Sequence, residues 1–242
     1  MIDIIPAIDI IDGRCVRLTK GDYSSKKVYD ASPVDMALAY ADCGVGRIHM
    51  VDLDGAKVSS PANLRTLERV ASKCGVEVEW GGGIASGEAL RSVFDAGATQ
   101  AIVGSIAARS PELFREWLLT FGGARMILGS DVRGRKVAVK GWLETTDLDI
   151  GEQIGWFLPD GLRSVICTDI SRDGCLEGPS FELYKSLQQE FTEVEFTASG
   201  GISSMDDIYR LEDQGTPKVI VGKAIYEGHI TLKDIEKCLQ RG

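Results

Sequence analysis

Short apolar runs rich in Val and Ile alternate along this chain with longer stretches of mixed polarity. The runs at 4–8, 47–51, 76–80, 101–103, 126–130, 164–168, 194–198 and 218–221 have the near-continuous apolar character of strands covered on both faces. Helix candidates lie between them, near 33–43, 61–74, 86–96, 110–120, 148–157, 180–190, 204–213 and 231–240. Ser32-Pro33, Ser60-Pro61, Ser110-Pro111 and Pro179-Ser180 place a capping hydroxyl or a Pro at the first turn. Gly44, Gly75, Gly97, Gly122 and Gly215 fall where helices stop. Eight strand–helix units at this length point to one closed (β/α)₈ barrel, a TIM barrel, rather than a doubly wound open sheet. Two short extra hairpins are expected after strands one and five, at 15–18 and 136–139.

The order of motifs repeats. Gly82-Gly83-Ile84 returns as Gly200-Gly201-Ile202, and Ile102-Val103-Gly104 returns as Ile220-Val221-Gly222, both 118 positions later. Upstream, Asp9 with Gly13-Arg14 and Lys20-Gly21 answers Asp131 with Gly134-Arg135 and Lys140-Gly141, with the drift that small loop insertions produce. Asp52 likewise answers Asp169. The chain therefore reads as a single domain, 1–242, built from two related half-barrels, about 1–122 and 123–242. Four units plus four units close symmetrically, which favours the barrel.

Composition narrows the chemistry. The chain has 242 residues and a net charge of −9, which disfavours nucleic acid or an anionic membrane as partner. Six cysteines, with no C-x-x-C pair, suit the reducing cytoplasm. No leader-like N-terminus and no long apolar run stand out, and a monomer is the default. Two separated histidines, His49 and His229, and scattered cysteines give no metal constellation.

In such a barrel the catalytic face is built at the C-terminal ends of the strands. Asp9 follows the first strand and Asp131 the fifth, so the two carboxylates oppose each other across one mouth. That arrangement suits paired general acid and base work. Asp52 and Asp54 follow strand two, and Thr168, Asp169 and Asp173 follow strand six. Gly82, Gly83, Gly104 and Ser105 fall on one side of the rim, and Gly200, Gly201, Gly222 and Lys223 on the other. Each glycine set reads as a phosphate cradle, because glycine lets backbone N–H groups approach an anion. A Cβ at Gly82 or Gly201 would then stand in the anion's place. Two cradles imply a ligand with a phosphate at each end. Trp142, in a loop after strand five, is placed to cover a ring of that ligand. His49 either points to the mouth or is a buried, hydrogen-bonded residue.

These residues resemble a known family. Ile5-Pro6-Ala7-Ile8-Asp9, Asp12-Gly13-Arg14, Val16-Arg17-Leu18 and Lys20-Gly21-Asp22 look like the opening of the phosphoribosylformimino-5-aminoimidazole carboxamide ribotide isomerases of histidine biosynthesis. His49 to Ala56, 81–84, 103–105, Lys140-Gly141-Trp142, 168–170, Asp173-Gly174, 199–202 and 221–224 continue the likeness in order along the whole chain. The resemblance implies an aldose–ketose isomerase, an intramolecular oxidoreductase, carrying out an Amadori rearrangement of the bis-phosphorylated aminoaldose ProFAR to the ketose PRFAR. It implies no cofactor and no metal. The proton acceptor falls on Asp9 and the donor on Asp131, with Asp173 as the alternative donor and Thr168 orienting the substrate. Arg17, Gly21, Asp52, Trp142 and Asp169 join the glycines and Ser105 and Lys223 as binding residues.

Three alternatives differ from this reading in particular residues. The cyclase of the same pathway has Cys-Leu-Asp where this chain has Ala7-Ile8-Asp9. A bifunctional relative that also isomerises phosphoribosyl anthranilate differs around Trp142, where this chain has Gly141-Trp142-Leu143-Glu144-Thr145. A non-catalytic binder of a bis-phosphorylated metabolite would keep the glycines but need neither Asp9 nor Asp131.

Overall fold

The computed structural model describes residues 1–19, 21–139 and 141–241; Lys20 and Lys140 of the paired motifs lie outside the described residues. Its strands are β1 (Asp3–Ile11), β2 (Arg14–Thr19), β3 (Asp22–Val28), β4 (Arg47–Asp52), β5 (Glu77–Gly81), β6 (Gln100–Val103), β7 (Met126–Arg133), β8 (Lys136–Val139), β9 (Glu144–Asp149), β10 (Ser164–Asp169), β11 (Glu195–Ser199) and β12 (Lys218–Val221). Its helices are α1 (Pro33–Asp42), α2 (Leu53–Val58), α3 (Leu64–Cys74), α4 (Gly87–Asp95), α5 (Ser105–Arg109), α6 (Pro111–Phe121), α7 (Ile150–Phe157), α8 (Phe181–Glu190), α9 (Met205–Asp213), α10 (Lys223–Tyr226) and α11 (Leu232–Leu239). The strands β1, β4, β5, β6, β7, β10, β11 and β12 pair in parallel in that order, and β12 returns to β1. This is a closed (β/α)₈ barrel.

Two apolar layers hold it. The larger lies between sheet and helices, with Trp80, Tyr40, Phe114, Phe157 and Phe196 fully covered. The smaller fills the barrel itself: Ile5, Ala7, Ile127, Ile166 and Ile220, with Ile102 against them. Alternation along each strand sends these side chains inward, and their branched shapes pack a lumen too narrow for solvent. Beneath this plug the inward positions turn charged: Lys218 pairs with Glu195 at 2.7 Å, and Arg47 pairs with Glu77. Such a layer at the N-terminal end of the strands belongs to stability rather than chemistry.

The helix ends follow local chemistry. Ser32 accepts the Asp35 N–H with Pro33 at the first turn, and Ser204 forms a capping box with Asp207. Ser60-Pro61 does not start a helix. The buried Asp52 carboxylate accepts the Ala62 and Asn63 amides at 2.7 and 2.9 Å, so α3 begins only at Leu64.

The expected strand ends also shift. Asp9 and Asp131 lie within β1 and β7 rather than after them. The reason is antiparallel pairing beyond the rim: Asp9 faces Val16 of β2, and Val132 faces Val137 of β8. Each hairpin also gains another strand, β3 or β9, which leaves the segments 22–28 and 144–149 extended on the outside of the mouth.

Candidate active site

The barrel order separates β1 from β7 by three strands in either direction, so Asp9 and Asp131 stand on opposite walls of one mouth. Asp9 is level with Val51 near the end of β4, and Asp131 is level with Thr168 near the end of β10. Both positions are inward by alternation, above Ile5 and Ala7 on one wall and Ile127 on the other.

Their surroundings differ. Arg17 on β2 reaches back across the hairpin, and its Nη1 donates to Asp9 Oδ2 at 2.9 Å. Asp9 therefore faces a full positive charge. Asp131 has neutral donors instead: the Trp142 indole N–H donates to Oδ2 at 2.7 Å. Burial pushes the Asp131 carboxyl above its usual range; hydrogen bonding from Trp142 and Thr168, and the charge of His49, oppose the rise. A carboxyl raised by burial is suited to holding a proton for transfer, as a general acid must.

Asp173, in the loop after β10, is a third carboxyl in the same mouth. Burial lifts it to about 6, against the pull of Arg17 and with the added repulsion of Asp9 and Asp131. Lys223 Nζ donates to the Gly174 carbonyl at 2.7 Å and ties this loop to α10. Asp173 thus senses both other carboxyls, and Arg17 lies near Asp9 and Asp173.

The glycine sets occupy opposite rim quadrants, after β5 and β6 and after β11 and β12. They are matched in backbone as well as sequence. Gly82 and Gly83 have φ of 99° and 78°, and Gly200 and Gly201 have 94° and 86°. Gly104 and Gly222 precede the short helices α5 and α10 with φ, ψ of −107°, −81° and −111°, −93°. The glycines of the pairs are also required by the fold itself. A Cβ on Gly82 would lie 2.2 Å from the Asp52 carbonyl oxygen, and one on Gly201 would lie 2.5 Å from that of Gly178. The neighbouring loop of the chain itself already excludes the side chain. A Cβ on Gly222 would meet the Arg17 guanidinium at 2.0 Å.

Two expected binding residues have other work. Asp52 is fully buried and accepts from Gly55, Ala62 and Asn63. Asp169 is buried and accepts from Ser171 N and Oγ at 2.9 and 2.5 Å and from Ser180 Oγ. Their acceptor positions are turned toward their own loops, which they hold against the glycine pairs. Ser105 stands exposed at the start of α5, beside Gly104. Gly21 is where the two hairpins touch: a Cβ there would lie 2.7 Å from the Trp142 ring. Trp142 itself has φ of 73°, a left-handed turn uncommon for a bulky residue, and that conformation accompanies its reach to both Gly21 and Asp131.

His49 is half-buried and combines both expectations: its Nδ1 is 2.7 Å from the covered Glu79 Oε1, and it lies near enough to Asp131 to act on that carboxyl. The sequence reading missed Glu79, whose inward position follows from its register with His49. It also missed the Arg17–Asp9 contact, although the hairpin pairing of Asp9 with Val16 carries the adjacent Arg17 beside β1. Among the described residues no three His, Cys, Asp or Glu side chains converge as a metal-ligand group, and no helix is long and apolar enough to cross a membrane.

Comparison with known proteins agrees with this architecture. The family model described as "Histidine biosynthesis protein" matches residues 3–231. A protein of Cytophaga hutchinsonii is 50% identical over 97% of this chain and 98% of its own length, and one of Bacteroides thetaiotaomicron is 49% identical over the same shares. One of Parabacteroides distasonis is 47% identical, again over 97% and 98%. All three are named 1-(5-phosphoribosyl)-5-((5-phosphoribosylamino)methylideneamino) imidazole-4-carboxamide isomerase. With barrel, motif order and full-length similarity in agreement, the chain belongs to the histidine biosynthesis protein family.

Proposed function

We propose that this protein is an aldose–ketose isomerase of histidine biosynthesis, converting the aminoaldose ProFAR to the ketose PRFAR by an Amadori rearrangement. The observation that carries the reading is the pair Asp9 and Asp131 on opposite walls, one against a guanidinium and the other among neutral donors. The substrate would lie across the mouth with one phosphate at Gly82, Gly83, Gly104 and Ser105 and the other at Gly200, Gly201, Gly222 and Lys223. Its reacting carbons then fall between the carboxyls.

A protonated carboxyl assists opening of the ribose ring and yields a Schiff base. Asp9 next removes the proton from carbon 2. The enolamine so formed takes a proton at carbon 1 and relaxes to the ketose, so the net change is an internal hydrogen shift. Asp131 serves as donor in this reading, with Thr168 orienting the reacting groups and Trp142 closing over the substrate. A second reading gives the donor's part to Asp173, because burial brings that carboxyl to about 6, near the working range of a general acid. We further propose that the chain is one domain of two related halves, works as a monomer in the cytoplasm, and needs neither cofactor nor metal.

Turnover of the imidazole ribotide aminoaldose by purified protein, followed spectroscopically beside Asp9→Asn and Asp131→Asn, tests the assignment. Wild-type turnover that falls by roughly 10²-fold or more in each variant, with binding largely kept, is expected. Unchanged turnover in both variants refutes it, and binding without turnover by any version would make the protein a metabolite binder.

A further inference from the structure

We propose that Tyr226 is a positioning residue whose ring holds the Arg17 guanidinium against Asp9, coupling α10 to the proton acceptor. The proposal rests on the reading of Asp9 as that acceptor.

Nη1 of Arg17 is committed to Asp9, while its buried Nε has no hydrogen-bond partner among the described residues. Its side chain is only 11% exposed, so neighbouring surfaces must set its direction. Gly222 provides one of them, with no room for a Cβ beneath the guanidinium. The Tyr226 ring provides another, with its centroid 5.9 Å from Arg17 Cζ. A cation beside an aromatic face in a covered site is attracted to the ring electrons, which fixes the plane of the guanidinium as well as its place.

Tyr226 is itself anchored at several points. Its ring lies 4.5 Å from that of Tyr29, tilted by 45°. Its hydroxyl is buried, and Tyr40 and Cys15 neighbour it. The next residue, Glu227, pairs with Lys27 at 2.9 Å and accepts from the Tyr29 hydroxyl at 3.3 Å. The first hairpin is thereby clamped to α10, which starts at the second glycine cradle. The other half lacks the device. The position matching Tyr226 at the same offset is Ala108 in α5, and the opposite carboxylate is met by Trp142 rather than an arginine. The ring is present in the half that has a guanidinium to hold.

The test is a set of variants, Tyr226→Phe, Tyr226→Leu and Tyr226→Met, made in the wild-type and Arg17→Gln backgrounds, with kcat, KM and thermal unfolding measured for each. Phe keeps the ring and is expected to retain wild-type kinetics. Leu and Met, both smaller than Tyr, lose the aromatic face and are expected to lose roughly tenfold or more in kcat with little change in KM, alongside a lower melting temperature from lost packing. In the Arg17→Gln background the same substitutions should cost no further activity. Losses that multiply in the double variants, an effect confined to KM, unchanged kcat in Leu and Met, or failure of both to fold would overturn the proposal. Asp9→Asn runs alongside. Full turnover there removes the underlying reading, whereas an inactive Asp9→Asn with an unaffected Tyr226→Met removes only the part given to Tyr226.

Discussion

Asp9 and Asp131 occupy matching strand positions and keep different company, and residue identity alone hid the difference. Both aspartates were legible as rim carboxylates, because the motif order placed each near a strand end. Their partners were not, because Arg17 and Trp142 reach them through hairpin pairing and a left-handed turn that leave little trace in hydropathy. Asp173 gives the sharpest expectation at this scale. The folded protein holds its proton up to about pH 6, whereas the unfolded chain releases it near the ordinary value of 3.8. The folded state therefore binds more protons between these values, and stability falls as pH rises through that window. The full difference is worth up to roughly 3 kcal/mol above it. Asp173→Asn removes the titrating group and is expected to raise the melting temperature at pH 8 relative to wild type. Its pH–rate profile assigns the donor: if Asp173 supplies the proton, wild-type kcat/KM falls as pH rises through about 6 and the variant lacks that limb.

At the scale of elements, the eight barrel strands and the long helices could be read from apolar runs and glycine stops to within a few residues. The outer strands β3 and β9 could not. β3 is exposed along its whole length and β9 is partly so, and no buried face stamps an alternation on either. The glycine pairs illustrate a motif recognised for an incomplete reason. Their spacing marked the rim correctly, yet the space they leave is taken by the Asp52 and Gly178 carbonyls before any ligand arrives. Gly82→Ala is accordingly expected to unfold or strongly destabilise the protein, by several kcal/mol, since a positive φ and a backbone collision coincide. Gly134→Ala, also at positive φ but with open space around it, should cost only about 1 kcal/mol. Equal melting temperatures for the two variants would contradict this account.

At the scale of the whole molecule, the mouth has two like rims and two unlike walls. The backbone angles at Gly104 and Gly222 are alike, while Arg17 opposite Trp142 makes the carboxyl sites differ. In the proposed reading, a substrate with phosphates at both ends sits in one direction with its carbon 2 toward the Asp9 wall, and binding energy gathered at its two tips is used to place the reacting atoms for proton transfer. Neither wall is complete within residues 1–122 or 123–242 alone, because β1 closes onto β12 and β7 onto β6. The measurement that bears most directly on this account is hydrogen exchange at carbon 2 of the bound aminoaldose in heavy water, followed by NMR with wild type and Asp9→Asn. Loss of the carbon-2 hydrogen during wild-type turnover, and its retention by an Asp9→Asn protein that still binds the substrate, is the predicted result; loss at the wild-type rate in Asp9→Asn would contradict it.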